Sequence, residues 1–358
     1  MNRIFAYLPG RALGDFVAYA ALVASIKEQF DEAELNVCFR NDRPYKDPIV
    51  QCIWNAKSRL SLPPGEPGVP LDYFDDSHGN PTQKNRFWTD NQLQRTNIVL
   101  SGRMLDELML NSISTTTLCP PADQLIIADQ KLIALGLDPK RWIAAIYWKE
   151  EGYQFRGING LRTIYDPAPY FAAIHYIVEK LGGQVVRLGH QTPTVIPKLR
   201  GVVDLAKIEN SEFLQLCAVA RSRFMVASAS GPASYGSAFG VPTATTDQTL
   251  CIAAWNEDDY IVTQGFEMGG EILRQQDAFD AGCLFGTFDH TRATYHRNTV
   301  DEVVAATDEM FRATTDCPGW RAAVPRQVKG PRNNYIVLPP PQKFRPELMV
   351  PPSLRRYV

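Results

Sequence analysis

The sequence predicts an α/β fold built as two Rossmann-like domains facing each other across a cleft, followed by an extended proline-rich tail. Three observations carry this. Apolar runs of strand length alternate with helical patterns from the N-terminus onward, the rhythm of βαβ units and parallel sheets. That rhythm breaks over a polar stretch at 63–91 and restarts after 139. At 358 residues the chain exceeds the usual size of one domain. The expected boundaries are 1–138 for the first domain, 139–316 for the second and 317–358 for the tail.

The elements follow in order. Residues 4–8 read as a first strand and 10–15, Gly-Arg-Ala-Leu-Gly-Asp, as a glycine-bearing loop. Phe16, Tyr19, Val23, Ile26 and Phe30 recur at helical spacing, so a helix is expected over 16–30. Residues 35–39 are the next strand. The loop lacks the Gly-x-Gly-x-x-Gly fingerprint of dinucleotide sites. The 63–91 stretch is rich in Pro, Gly and Asp with interspersed aromatics, and loops of that length are often functional. A strand over 97–100 and a helix over 121–135 complete the first half.

In the second half, 142–148 is a strand and 149–166 a loop carrying Lys149, Glu150, Glu151, Arg156 and Arg162. A helix over 167–181 ends at Gly182-Gly183. Strands are expected at 184–188 and, shorter, at 202–205, and a helix over 211–220. Residues 224–227 are a buried-type strand, and Ser228, Ser230, Gly231 and Pro232 form a turn leading into a small-residue helix. The next strand starts near 241, and a last helix spans 299–314. Tail residues such as Pro339, Pro340 and Pro341 exclude regular helix or sheet. The tail is expected to pack back on the first domain or on a neighbouring subunit.

Composition narrows the function classes. The chain is 45% apolar and 21% charged with a net charge of −2. That balance demands no nucleic acid or anionic membrane as an obligatory partner. No apolar run reaches the about 18 residues needed to span a bilayer, and the N-terminus reads as a strand with no signal-peptide layout. Seven scattered cysteines without a Cys-x-x-Cys pair read as reduced thiols of a cytoplasmic protein. Five isolated histidines give no zinc spacing, so no metal site is expected. Asp75-Asp76 and Asp258-Asp259 read as solvated loop acids.

Ligands of open parallel sheets bind beyond the carboxyl ends of the strands. The loops there carry Asp15, Lys149 to Arg162, Gly189, His190, Asp204, Leu205 and the turn Ser228 to Gly231. Unpaired amides at that turn suit a phosphate; the alternative is a plain serine-capped helix.

Val226-Ala-Ser-Ala-Ser-Gly-Pro, the later Ser-Ala-Phe-Gly-Val-Pro242, and Gly182-Gly-Gln-Val-Val-Arg-Leu-Gly189 with Leu161-Arg162 resemble GT-B glycosyltransferases of bacterial surface-polysaccharide loci. Leu13-Gly14-Asp15 and Ser230-Gly231-Pro232 are similar to the heptosyltransferase family. Departures are Ala229 in place of that family's Asp, Ser234 in place of its His, and Tyr147-Trp148-Lys149 in place of a His-x-Arg motif. The first two argue against a heptose.

The resemblance implies glycosyl transfer from a nucleotide diphosphate sugar to an acceptor hydroxyl, inverting and metal-independent, with no cofactor. A saccharide or glycoconjugate is the default acceptor; protein, nucleobase and small-molecule acceptors fit these loops equally well. A homodimer is possible. Arg162 and Arg187 would hold the diphosphate bidentately. Their alternatives are a surface charge and a buried ion pair. Ser228, Ser230 and Gly231 would complete the cradle, and Gly189, His190, Asp204 and Leu205 would wall the nucleoside. Asp15 is the candidate general base, as the matching Asp of the heptosyltransferase pattern implies. Its alternative is a helix N-cap, and Glu150 or Glu151 is the fallback. Competing readings are a GT-B-like sugar-nucleotide 2-epimerase and a non-catalytic nucleotide-sugar-binding protein.

Overall fold

A computed structural model of the chain describes residues 3–8, 12–62, 98–100, 116–150, 162–191, 194–248, 256–273, 275–281, 293–314 and 317–329. The 63–91 loop, Glu151, Arg156 and the proline-rich part of the tail lie outside the described residues.

The first half contains β1 (Arg3–Leu8), α1 (Leu13–Glu28), β2 (Glu34–Arg40), α2 (Lys46–Gln51), β3 (Ala56–Leu62) and β4 (Ile98–Leu100). Its four strands lie in the order β3-β2-β1-β4, and every pair is parallel. Helix α1 starts at Leu13, three residues before the expected 16. Gly14 and Asp15 therefore sit in its first turn and not in a loop. Ala12, extended at φ −84° and ψ 139°, is the N-cap. From Phe16 to Ile26 the helix is buried nearly all round except at Ala18. A helix that is apolar on every side belongs inside, and this one is covered on both sides by the two halves. The buried Ser25 hydroxyl of this helix is satisfied: Ser25 Oγ donates to Ala21 O and accepts from Thr116 N, at 2.9 and 3.1 Å. Strand β3 and helix α2 carry no clear apolar period. Residues 57–61 of β3 are exposed at the sheet edge, so the hydrophobic pattern gave no sign of them.

Helix α3 (Ala122–Ala134) leads to the second half, which contains β5 (Ile143–Tyr147), α4 (Ala168–His175), β6 (Gln184–Arg187), β7 (Val202–Asp204), α5 (Glu212–Arg221), β8 (Phe224–Ser228), α6 (Ala233–Ala238), β9 (Thr243–Gln248), β10 (Tyr260–Thr263), β11 (Gly265–Met268), β12 (Glu271–Leu273), α7 (Gln275–Asp280), β13 (Thr294–His296) and α8 (Val300–Ala313). The main sheet runs β10-β9-β8-β5-β6-β7, all parallel. Strands β12-β11-β13 form a small antiparallel sheet. The helix expected over 167–181 is α4 followed by a π turn over Tyr176–Lys180. The strand expected near 241 begins at Thr243, after Pro242, which has no N–H to give to a ladder.

Buried parallel strands bury both faces, and β5 shows how the sheet divides its neighbours. Ile143, Ala145 and Tyr147 join the apolar cluster that runs through α1, α5 and the first sheet. Ala144, Ile146 and Trp148 join the cluster under α4 and α8. Of the tail, residues 317–329 are extended and stitch the halves together. Trp320 N donates to Pro139 O, the Arg321 guanidinium to the carbonyls of Phe239 and Gly240, and Thr117 N to Arg326 O.

Arg187 is 1% exposed on the α4 side of β6. Its guanidinium pairs with Glu150, bonds Asp204 at 3.1 and 3.2 Å, and lies 4.5 Å from the Trp148 ring centroid. A buried pair broken on one side leaves uncompensated charge. Arg187→Met is expected to lower unfolding free energy by about 3–5 kcal/mol, read from urea denaturation. An unchanged urea midpoint would show that the triad contributes nothing.

Candidate active site

A cleft of about 1000 Å³ opens where the carboxyl ends of the strands of both halves meet. Its floor is a contact between two glycines. A Cβ on Gly231 would lie 2.9 Å from Gly14 N and 3.1 Å from Leu13 Cβ, and one on Gly14 would lie 3.1 Å from Gly231 Cα. Real Cβ atoms do not approach as close as 2.9 Å, and 3.1 Å requires the neighbour to give, so the first turn of α1 and the turn before α6 touch this closely because neither carries a side chain there. The contact puts two sets of amides at one place. The first-turn amides of α1 have no intrahelical acceptor. Those of Ser230 and Gly231 have no protein acceptor among the described residues. Together they suit an anion.

Cations line the same cleft. Lys149 extends past β5 and is 6% exposed. Its amide donates to Ser228 Oγ at 2.8 Å, and its carbonyl accepts from Ile164 N at 2.7 Å. The turn that carries Arg162 is thereby fastened beside it. Burial, with Arg162 and Arg297 nearby, pushes the Lys149 ammonium down to about 8. Burial also lowers Arg162, and the Asp15 carboxylate draws it partly back. Asp15 belongs to α1 of the first half and Arg162 to the second, so this attraction spans the cleft.

The structure sorts the expected residues into two groups. Asp15, Arg162, Gly189, His190, Ser230 and Gly231 all line the cleft. Asp15 is exposed and is the third helical residue of α1, so it is not the N-cap. Gly189 has φ +145°, in the region that favours glycine, and its amide and carbonyl are both held by the Gln215 carboxamide at 2.9 and 2.8 Å. Ser230 Oγ lies 3.1 Å from the Tyr147 hydroxyl.

Arg187, Asp204, Leu205 and Ser228 do not line the cleft. Arg187 is the buried ion pair described above and is not available to a diphosphate. The Asp204 carboxylate is taken up by Arg187 and by Ala206 N. Leu205 is fully buried in the core, and Ala206 and Ile208 line the wall instead. Ser228 is fully buried, with its hydroxyl accepting from Lys149 N. Glu150, the fallback base, is 8% exposed and paired with Arg187.

Sequence reasoning gave too little weight to Lys149, although a charge directly after an apolar parallel strand marks the ligand edge. It gave no sign of Arg43 and Tyr45, which line the cleft from the first half, or of Gln215. Among the described residues no cluster of three or more His, Cys, Asp or Glu side chains suits a metal ion, and no helix is long and apolar enough to cross a membrane.

No family model matches the chain, and no curated protein matches it. Solved structures do. The glycosyl transferase family 9 structure from Veillonella parvula DSM 2008 aligns with a TM-score of 0.50 at 12% identity, over 87% of this chain and 98% of that one. The ADP-heptose heptosyltransferase II of E. coli aligns at 0.44 and 12% identity, over 68% of this chain and 84% of that one. The first of these shows the fold, the GT-B arrangement of two α/β halves about a cleft.

Two outcomes test this geometry. Gly231→Ala drives a Cβ into Gly14 N and is expected to cost about 1–3 kcal/mol; native stability in a urea titration would refute the seam. For Lys149 the folded value lies near 8 and the ordinary value is 10.5. The unfolded chain therefore binds more protons between those pH values, and native stability rises with pH there. The stability advantage of Lys149→Met over the native protein should be constant below pH 8 and shrink up to pH 10.5. A pH-independent difference would contradict it.

Proposed function

We propose that the chain transfers a glycosyl group from a nucleotide diphosphate sugar to an acceptor hydroxyl. The observation that carries this is the attraction of the Asp15 carboxylate to the Arg162 cation, with Lys149 lining the same cleft, over a floor of free amides. The donor diphosphate lies on the amides of Ser230 and Gly231, with Lys149 and Arg162 over its oxygens. The nucleoside lies along Gly189, His190 and Ala206. The acceptor enters from the side of Arg43 and Tyr45.

In the step itself, the bond between the anomeric carbon and the diphosphate oxygen breaks, and its electron pair leaves with the diphosphate. Preorganised cations and amides stabilise that charge as it develops. The acceptor oxygen bonds to the anomeric carbon from the opposite face, and its proton passes to Asp15. The anomeric configuration inverts. The positive charge at the leaving group comes from side chains, so the step as drawn calls for no metal.

A thermal-shift screen against nucleoside diphosphates and their sugars is expected to raise Tm for at least one base by mass action. Asp15→Asn should keep that shift and lose transfer by roughly 100- to 10,000-fold. Transfer that persists in Asp15→Asn would reduce Asp15 to a first-turn acid, and binding without any transfer in the native protein would leave a nucleotide-sugar-binding protein.

A further inference from the structure

Arg297, in the segment between β13 and α8, is a charged residue for which neither stability nor the cleft lining accounts. It is half-buried, and its Nη2 donates to Thr163 O at 2.9 Å. Its Nη1 is buried and has no hydrogen-bond partner among the described residues. The acid that faces it, Asp247, is already engaged: one carboxylate oxygen accepts from the Tyr170 hydroxyl at 2.7 Å and the other from Asn298 N at 2.9 Å. An unpaired buried donor on a cation destabilises a fold. Here it stands behind two other cations. Thr163, which Arg297 holds, follows Arg162 directly, and the next residue bonds Lys149 O through Ile164 N. The turn that presents Arg162 is thus strung between Lys149 and Arg297.

We infer that Arg297 is a positioning residue: it anchors the 162–164 turn from behind, so that Lys149 and Arg162 converge as one cradle for a diphosphate. This rests on the reading of the cleft as a nucleotide diphosphate sugar site. Three gathered positive charges repel one another in the free protein, and a multiply charged anion relieves that repulsion more than a monoanion does. The charged groups bearing on Lys149 are Arg162 on the turn, Arg297 before α8, and Asp15 on α1 through Arg162. Asp247 at the end of β9 bears on Arg297.

The test uses the full chain with inorganic pyrophosphate as the probe, measured by calorimetry, alongside an NMR titration of the Lys149 side-chain nitrogen. Arg297→Met is expected to weaken pyrophosphate about tenfold or more, the value of one charge-assisted hydrogen bond. It should also raise the Lys149 midpoint above its native position near 8, a change that loss of a merely structural contact would not produce. Arg297→Lys keeps the charge without the planar fork, so it should leave the midpoint in place and still weaken binding. Native affinity and native midpoint in a folded Arg297→Met protein would overturn the inference. Should that variant not fold, native affinity in Arg297→Lys would do the same, as would no binding of pyrophosphate by the native protein. Pyrophosphate binding that depends on Arg297 without any glycosyl transfer would sink the transferase reading alone. Transfer with Arg297→Met at native pyrophosphate affinity would sink this inference alone.

Discussion

The contact between Gly14 and Gly231 is the constraint on which the rest of the site depends. Two backbone turns, one from each half, meet with no side chain between them. A side chain at Gly231 would push α1 and the turn before α6 apart, and one at Gly14 would crowd the same contact. Their closeness aims two sets of unsatisfied amides at one volume. It also sets Asp15, the residue after Gly14, opposite Arg162. Ligand chemistry in this cleft is a consequence of how closely two pieces of main chain can pack.

The second decision is made by strand parity. Successive residues of a strand point to opposite faces. At the end of β5 and just beyond it, Tyr147 and Lys149 face the cleft, whereas Trp148 and Glu150 face Arg187 on the other side of the sheet. Arg187 and Lys149 are both cations at the carboxyl edge, yet one is neutralised by two acids and stacked on an indole. The other has its ammonium held near 8 by burial, with Arg162 and Arg297 adding to the effect. A shift of one residue in the register of β5 would turn Lys149 away from the cleft and bring Trp148 and Glu150 to it.

Main-chain bonds and apolar packing together hold the two halves in this relation. Leu118 N bonds Ala238 O at 2.8 Å, next to the carbonyls that Arg321 holds. The 317–329 segment ties Pro139, α6 and Thr117 together, and an apolar cluster runs continuously through both sheets. The glycine seam therefore closes between parts that are already braced.

By itself the sequence determined the α/β class, the parallel strands and the stretch of loops where a ligand would sit. Apolar runs, helical spacing and glycine stops are local, and each acts whether or not the rest of the chain is present. Asp15, Arg162, Gly189, His190, Ser230 and Gly231 were legible because each lies next to such an element. The tertiary structure decided which charges reach the cleft. Arg187, Asp204 and Ser228 have the right types at the right edge, but each points to a partner within the protein. Arg297 became visible only when the chain, 134 residues on from Thr163, returned to hold its carbonyl. A hydrogen bond or an ion pair between residues far apart leaves no period and no composition signal behind, so only the folded chain reveals which groups are spent on the protein and which face the cleft.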